Sequence, residues 1–302
     1  MATSRPDAHQ AQSGIVVIDK PAGWTSHQVI AKIRRLAGTR KVGHAGTLDP
    51  MATGVLIVGI EKATRLLGYL ASSKKAYEAT IRLGIGTITD DAEGEVTACF
   101  GAADLDEQGI ERAMAALRGE ILQIPSAVSA IKINGVRSYS RVRRGEAVDL
   151  TPRPVQVSRF AAVARRAAEV GGVQVLDLDV QVECSTGTYV RALARDLGAA
   201  LGVGGHLTRL RRTRVGAFDL DQAQTLEEAE KGLAIVPLNA VIRENFATLE
   251  VTDAQASHIR NGRRLTDLML PNSTTALVTQ ADDFLALYRQ EGQDAVAEAV
   301  FV

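Results

Sequence analysis

Several things are scarce or missing in this chain of 302 residues. It has two cysteines, Cys99 and Cys184. They match no zinc spacing and no disulfide framework, which points to a reducing, cytosolic setting. No apolar run approaches the length of a membrane span. The first dozen residues offer neither a basic start nor an apolar stretch after it, so no secretory signal is expected. Net charge is absent too: 35 Lys and Arg stand against 35 Asp and Glu, which argues against a simple polycation. No internal repeat is present. Two glycine-rich segments, 84–86 and 202–205, complete no dinucleotide fingerprint ahead of a helix, which counts against a nucleotide-binding oxidoreductase. A hydrolase built on paired carboxylates would need a second placed acid beside Asp49. Only Asp19 and Glu61 are near in sequence, and neither has a matching spacing.

What is present is unevenly distributed. Between Gln28 and Leu48 lie Lys32, Arg34, Arg35, Arg40 and Lys41 with no acid. Between Val190 and Gly216 lie Arg191, Arg195, Arg209, Arg211, Arg212 and Arg214 against Asp196 alone. Gly86 to Glu120 is acidic. Segregation of this kind predicts a basic face and an acidic face, and a basic face is the footprint of an RNA backbone.

The loop 42–54, Val-Gly-His-Ala-Gly-Thr-Leu-Asp-Pro-Met-Ala-Thr-Gly, precedes the apolar run Val55-Leu56-Ile57-Val58. Pro50 biases Asp49 away from the helical region. Gly43, Gly46 and Gly54 allow sharp turns and close approach of another molecule. A lone carboxylate on a loop anchored by a strand suits nucleophilic or general-base chemistry. Asp-Pro and isolated glycines are also ordinary turn signals.

Around this loop, Gly14–Asp19 reads as a buried strand, and a helix capped at Ser26 is expected to run to about Leu36. Strands are expected over Val55–Ile60, Lys75–Leu83, Glu95–Phe100, Val155–Arg165, Val173–Glu183 and Leu207–Phe218, with a turn at 90–94. Helices are expected over about Glu107–Arg118 and Tyr189–Leu201. In the second, Val190, Leu193, Ala194, Leu197 and Leu201 form the apolar stripe and leave Arg191 on another face. Asn134-Gly135 is a hairpin signal, followed by the arginine-rich Tyr139–Gly145. Residues 1–13 read as a disordered tail.

The sequence Gly43-His44-Ala45-Gly46-Thr47-Leu48-Asp49-Pro50-Met51-Ala52-Thr53-Gly54-Val55-Leu56 resembles the active-site motif of the bacterial tRNA pseudouridine synthase B (TruB) family. Val17–Ser26, with Lys20-Pro21 at its centre, resembles that family's N-terminal motif. Cys184–Arg191 resembles its third. The motifs follow in the family's order, and the resemblance runs from about Gly14 to about Leu238.

The resemblance implies an α+β pseudouridine synthase fold, with a long mixed, mainly antiparallel sheet flanked by helices and a small C-terminal PUA-like module. It implies a catalytic domain over 14–244, an RNA-gripping thumb over about 123–152, and a PUA-like domain over 245–302. The reaction implied is isomerisation of uridine-55 in the T-loop of tRNA to pseudouridine, with no cofactor. The partner is the T-arm stem-loop, and a cytoplasmic monomer without metal or membrane is expected. The closest rival is a non-catalytic tRNA-binding or folding protein.

Residue by residue, Asp49 matches the family's nucleophile. Attack on ribose C1′, attack on uracil C6 and elimination all remain open at this stage. A nucleophilic carboxylate must be ionised, and a guanidinium within a few Å favours the charged form. Arg191 matches the family's partner for it. Tyr189 would line the pocket, Tyr77 would stack on the target uracil, and Leu210 would pack on its other side. His44 would fill the space left by the extruded nucleotide. No second histidine or cysteine lies near His44, so a metal site is not expected. Lys20 would support the Asp49 loop.

Overall fold

In a computed structural model, residues 12–126, 132–133, 136–137 and 150–302 are described. The expected tail, apart from Gln12 and Ser13, lies outside them. So do most of the expected thumb, the Asn134-Gly135 turn and Tyr139–Gly145. Among the described residues no helix is long and apolar enough to cross a membrane.

In chain order the elements are β1 (Gly14–Lys20), α1 (Ser26–Leu36), β2 (Val42–Ala45), β3 (Thr53–Ile60), α2 (Leu67–Ala71), β4 (Lys75–Leu83), β5 (Ile85–Thr87) and β6 (Val96–Cys99). After these come α3 (Glu107–Ala116), β7 (Gly119–Gln123), β8 (Lys132–Ile133), β9 (Val136–Arg137), β10 (Arg153–Val170), β11 (Val173–Cys184), α4 (Val190–Ala200) and β12 (Gly205–Val215). The last part holds β13 (Phe218–Asp219), α5 (Leu226–Lys231), β14 (Val236–Pro237), α6 (Leu238–Asn245), β15 (Ala247–Glu250), α7 (Asp253–Arg260), β16 (Thr274–Val278), β17 (Phe284–Glu291) and β18 (Asp294–Val300).

The chain divides into two compact units. The first holds residues up to Leu48, Val55–Ala71 and Gly216–Val302. Within it β14, β1 and β3 are hydrogen-bonded in that order. Ile15 to Ile18 and Val55 to Val58 are all buried, so both strands read as continuous apolar runs, as strands covered on both faces do. A separate sheet in the order β15-β16-β17-β18 forms near the C-terminus. Ile259, Leu277, Leu285 and Tyr288 form its core, and the Tyr288 hydroxyl donates to the Arg263 carbonyl at 2.7 Å.

The cap of α1 differs from expectation. Thr25 is the N-cap, in a capping box with Gln28, whereas Ser26 is buried. Both residues have capping hydroxyls, but only Thr25 has a glutamine three positions on. The Ser26 hydroxyl is used elsewhere: it donates to the Leu48 carbonyl and accepts the Leu48 N–H, each at 3.0 Å. A second difference is β2. Residues 42–45 were expected to belong to a loop. They instead pair antiparallel with β3, Val42 opposite Ile60 and His44 opposite Val58.

The second unit holds Asp49–Gly54 and Ser72–Val215. Thr53 and Gly54 run parallel to Arg211 and Arg212 of β12. From β12 the order is β4, β11, β10, β7, antiparallel throughout. The sheet is therefore mixed and mainly antiparallel. Alternation in β4 puts Tyr77, Ala79 and Ile81 on one buried face. Helix α4 packs on β12.

Candidate active site

Asp49 follows the clamped Leu48 and precedes Pro50. Its carbonyl accepts the Ala52 N–H at 3.1 Å, closing a tight turn. Further along the same loop Gly54 has φ +100°, and a Cβ there would stand 2.1 Å from the Arg212 carbonyl oxygen. Glycine is required at 54 on both counts. The Asp49 loop is thus pinned at its two ends, and the Asp49 side chain keeps 40% of its exposure.

Arg191 is the second residue of α4. Its apolar neighbours suggested a face turned away from the core, yet the side chain is only 5% exposed. Its Nε lies 3.0 Å from Asp49 Oδ2. Its Nη1 donates to the Thr89 carbonyl at 2.8 Å and lies 3.4 Å from Asp91 Oδ2. A cation in the first turn of a helix opposes the helix dipole, and the two carboxylates offset that cost. Asp91 is buried as well; its Oδ1 accepts the Glu93 N–H at 3.1 Å and the Thr89 hydroxyl. One guanidinium therefore meets two carboxylates, of which Asp49 is the accessible one.

Tyr189, half-buried, is the N-cap of α4 and makes no side-chain cap bond. Gln123 holds its backbone on both sides: the Tyr189 N–H donates to Gln123 Oε1 at 2.8 Å, and Gln123 Nε2 donates to the Tyr189 carbonyl at 3.1 Å. Tyr77 is buried, and burial pushes its phenol above the usual tyrosine range, while the adjacent Arg212 guanidinium opposes the rise. Leu210, also buried, sits opposite Ala79, two residues along β12 from the position facing Tyr77. Lys75 and Cys184 face each other across β4 and β11. Burial lowers the Lys75 amine to about 8 and raises the Cys184 thiol to about 11.

Asp49, Arg191, Tyr77, Tyr189 and Leu210 all belong to the second unit, and His44 and Lys20 to the first. His44 lies on β2 rather than in a turn, with its ring edge-on to His27 at 5.8 Å between centroids. Lys20 is fully buried. Its ammonium donates to the carbonyls of Pro21 and Trp24 at 2.9 and 2.6 Å, and these two bonds brace its own loop.

The expected basic face needs correction. Arg191 and Arg212 are 5% and 1% exposed, so these two belong to the interior. Arg209 and Arg214 lie near Glu78 and Glu183, and Lys32 bonds Glu230. Asp91, Gln123 and Arg212 were not singled out from sequence. Asp91 stood in what read as a plain acidic turn, and Arg212 in a run of basic residues. Among the described residues no group of three or more His, Cys, Asp or Glu is placed to hold a metal.

Comparison with known proteins bears on this geometry. The family model described as TruB family pseudouridylate synthase (N terminal domain) matches residues 34–190. That of the tRNA pseudouridylate synthase B C-terminal domain matches residues 191–243. The tRNA pseudouridine synthase B of Cutibacterium acnes is 54% identical over 294 residues, covering 96% of this chain and 98% of that protein. That of Streptomyces avermitilis is 51% identical over 298 residues, covering 98% and 99%. Among solved structures, a chain of a Cbf5-Nop10-Gar1 complex matches with a TM-score of 0.69 at 28% identity, covering 99% of this chain and 88% of that one.

Proposed function

The chain belongs to the TruB family of pseudouridylate synthases, and from that premise we propose that it converts uridine-55 in the T-loop of tRNA to pseudouridine, with Asp49 as the nucleophile. The observation that carries this reading is the Asp49–Arg191 pair: an accessible carboxylate held at 3.0 Å by a guanidinium that is itself buried and fixed from behind. Such a pair presents a charged oxygen in one orientation before substrate arrives, which is what electrostatic preorganisation requires.

The reaction breaks the C1′–N1 bond, turns the base over and forms C1′–C5. It consumes no water and needs no redox or group carrier. A base stacked in a folded loop must first be extruded, at a cost of a few kcal/mol. Tyr77 stacks on the extruded uracil, Leu210 packs on its other side, and Tyr189 lines the wall. His44 takes the place vacated in the RNA loop, and Lys20 braces the chain that precedes the site. The catalytic domain spans 14–244, with a thumb at about 123–152, and the PUA-like module at 245–302 adds RNA contact. The enzyme works as a cytoplasmic monomer on the T-arm of tRNA.

The test is to incubate an unmodified tRNA transcript with the protein and map pseudouridine by carbodiimide adduct and primer extension. A single new stop at position 55 is expected. A stop elsewhere, or none, would remove the assignment.

A further inference from the structure

We propose that Arg212 is a positioning residue for this isomerisation: its backbone seats the end of the Asp49 loop, and its guanidinium holds the Tyr77 phenol. The inference rests on the reading of Asp49 and Tyr77 as site residues given above, and adds to it the group that ties them together.

Four observations carry it. Arg212 stands between two functional segments, with Gly54 beside it in parallel register and Tyr77 opposite it on β4. The contact with Gly54 leaves no slack, since a Cβ would stand 2.1 Å from the Arg212 carbonyl oxygen. The side chain is 1% exposed, whereas arginine is almost never fully buried unless paired. As directly paired residues of neighbouring antiparallel strands, Arg212 and Tyr77 send their side chains to one face, where both are buried.

The charged and titratable groups facing the phenol are Arg212 from β12, Cys184 from β11 and Asp49 from its loop. Arg212 is the one cation of the three. A planar fork of donors fixes a phenol in orientation as well as distance, which an ammonium on a flexible stem does not. A change at Arg212 should therefore disturb the stacking ring without removing the nucleophile.

The experiment is a double-mutant cycle of Arg212→Lys and Tyr77→Phe, read as single-turnover pseudouridine formation on unmodified tRNA, with tRNA binding and thermal unfolding measured in parallel. Arg212→Lys should slow the rate about tenfold or more, as expected for directly coupled neighbours. Binding should stay near the wild-type value. In the Tyr77→Phe background the same change should cost almost nothing, because the hydroxyl it acts through is gone. Arg212→Gln, which keeps an N–H donor, serves in the same cycle if the lysine variant does not fold. Penalties that multiply independently, or a wild-type rate for either Arg212→Lys or Tyr77→Phe, would overturn the proposal. Pseudouridine formation by Asp49→Ala would instead overturn the reading of the nucleophile, so the two failures are separable.

Discussion

The Ser26 hydroxyl bridges the N–H and the carbonyl of Leu48, each at 3.0 Å, across 22 residues of chain. Leu48 is buried and immediately precedes Asp49. A helix residue thus satisfies the backbone of a turn that must stay irregular.

Replacing Ser26 with Ala leaves a buried N–H and a carbonyl without their partner. The cost should be about 1–3 kcal/mol of stability, together with a fall in pseudouridine formation because the nucleophile's turn loosens. Thr25→Ala removes the true cap of α1 and should cost about 1 kcal/mol with activity largely kept. Thermal unfolding and rate, measured on both variants, separate a loop clamp from a helix cap.

Asp91→Ala should weaken catalysis without touching the nucleophile. Arg191 would lose one of two carboxylates while remaining buried, and breaking a buried pair from one side costs about 3–5 kcal/mol. The expected outcome is a lowered unfolding temperature and a reaction slowed about tenfold, less than the loss of a donor that itself touches the transition state. Unchanged rate and stability in the same assays would mean that Asp91 is not needed to hold Arg191 in place.

Acid stability should depend on Asp179. Hydrogen bonds from Arg166, and then from Thr80, lower its carboxyl to about 2 from an unfolded value of 3.8. A depressed carboxylate contributes fully above the unfolded value and loses its contribution as pH falls through the folded one. Stability should therefore decline from near pH 3.8 toward pH 2. Asp179→Asn should flatten that decline in urea midpoints taken across the window. Arg166 is half exposed, so the effect is smaller than an interior pair would give.

Much of the local structure was legible because it follows short-range periodicity. Val29, Ile30 and Ile33 mark the buried face of α1, and Tyr77, Ala79 and Ile81 that of β4. What was hidden depends on partners distant in sequence. Arg191 reads as a solvent-facing helix residue until a turn 100 residues earlier brings Asp91 and Thr89 to it. Strand β2 is four residues long and includes a glycine, so only its pairing with β3 reveals it. The Thr25 cap was recoverable from its spacing to Gln28. The clamp by Ser26 was not, since no local pattern announces a hydroxyl directed at another loop.

The role of Asp49 is tested most directly by Asp49→Asn, which keeps the shape of the side chain and removes its charge. Unmodified tRNA is incubated with each protein, pseudouridine is mapped by adduct and primer extension, and tRNA affinity is measured alongside. The expected result is no pseudouridine with affinity close to wild type. Pseudouridine formed by the asparagine variant at a rate near wild type would contradict the assignment of that carboxylate.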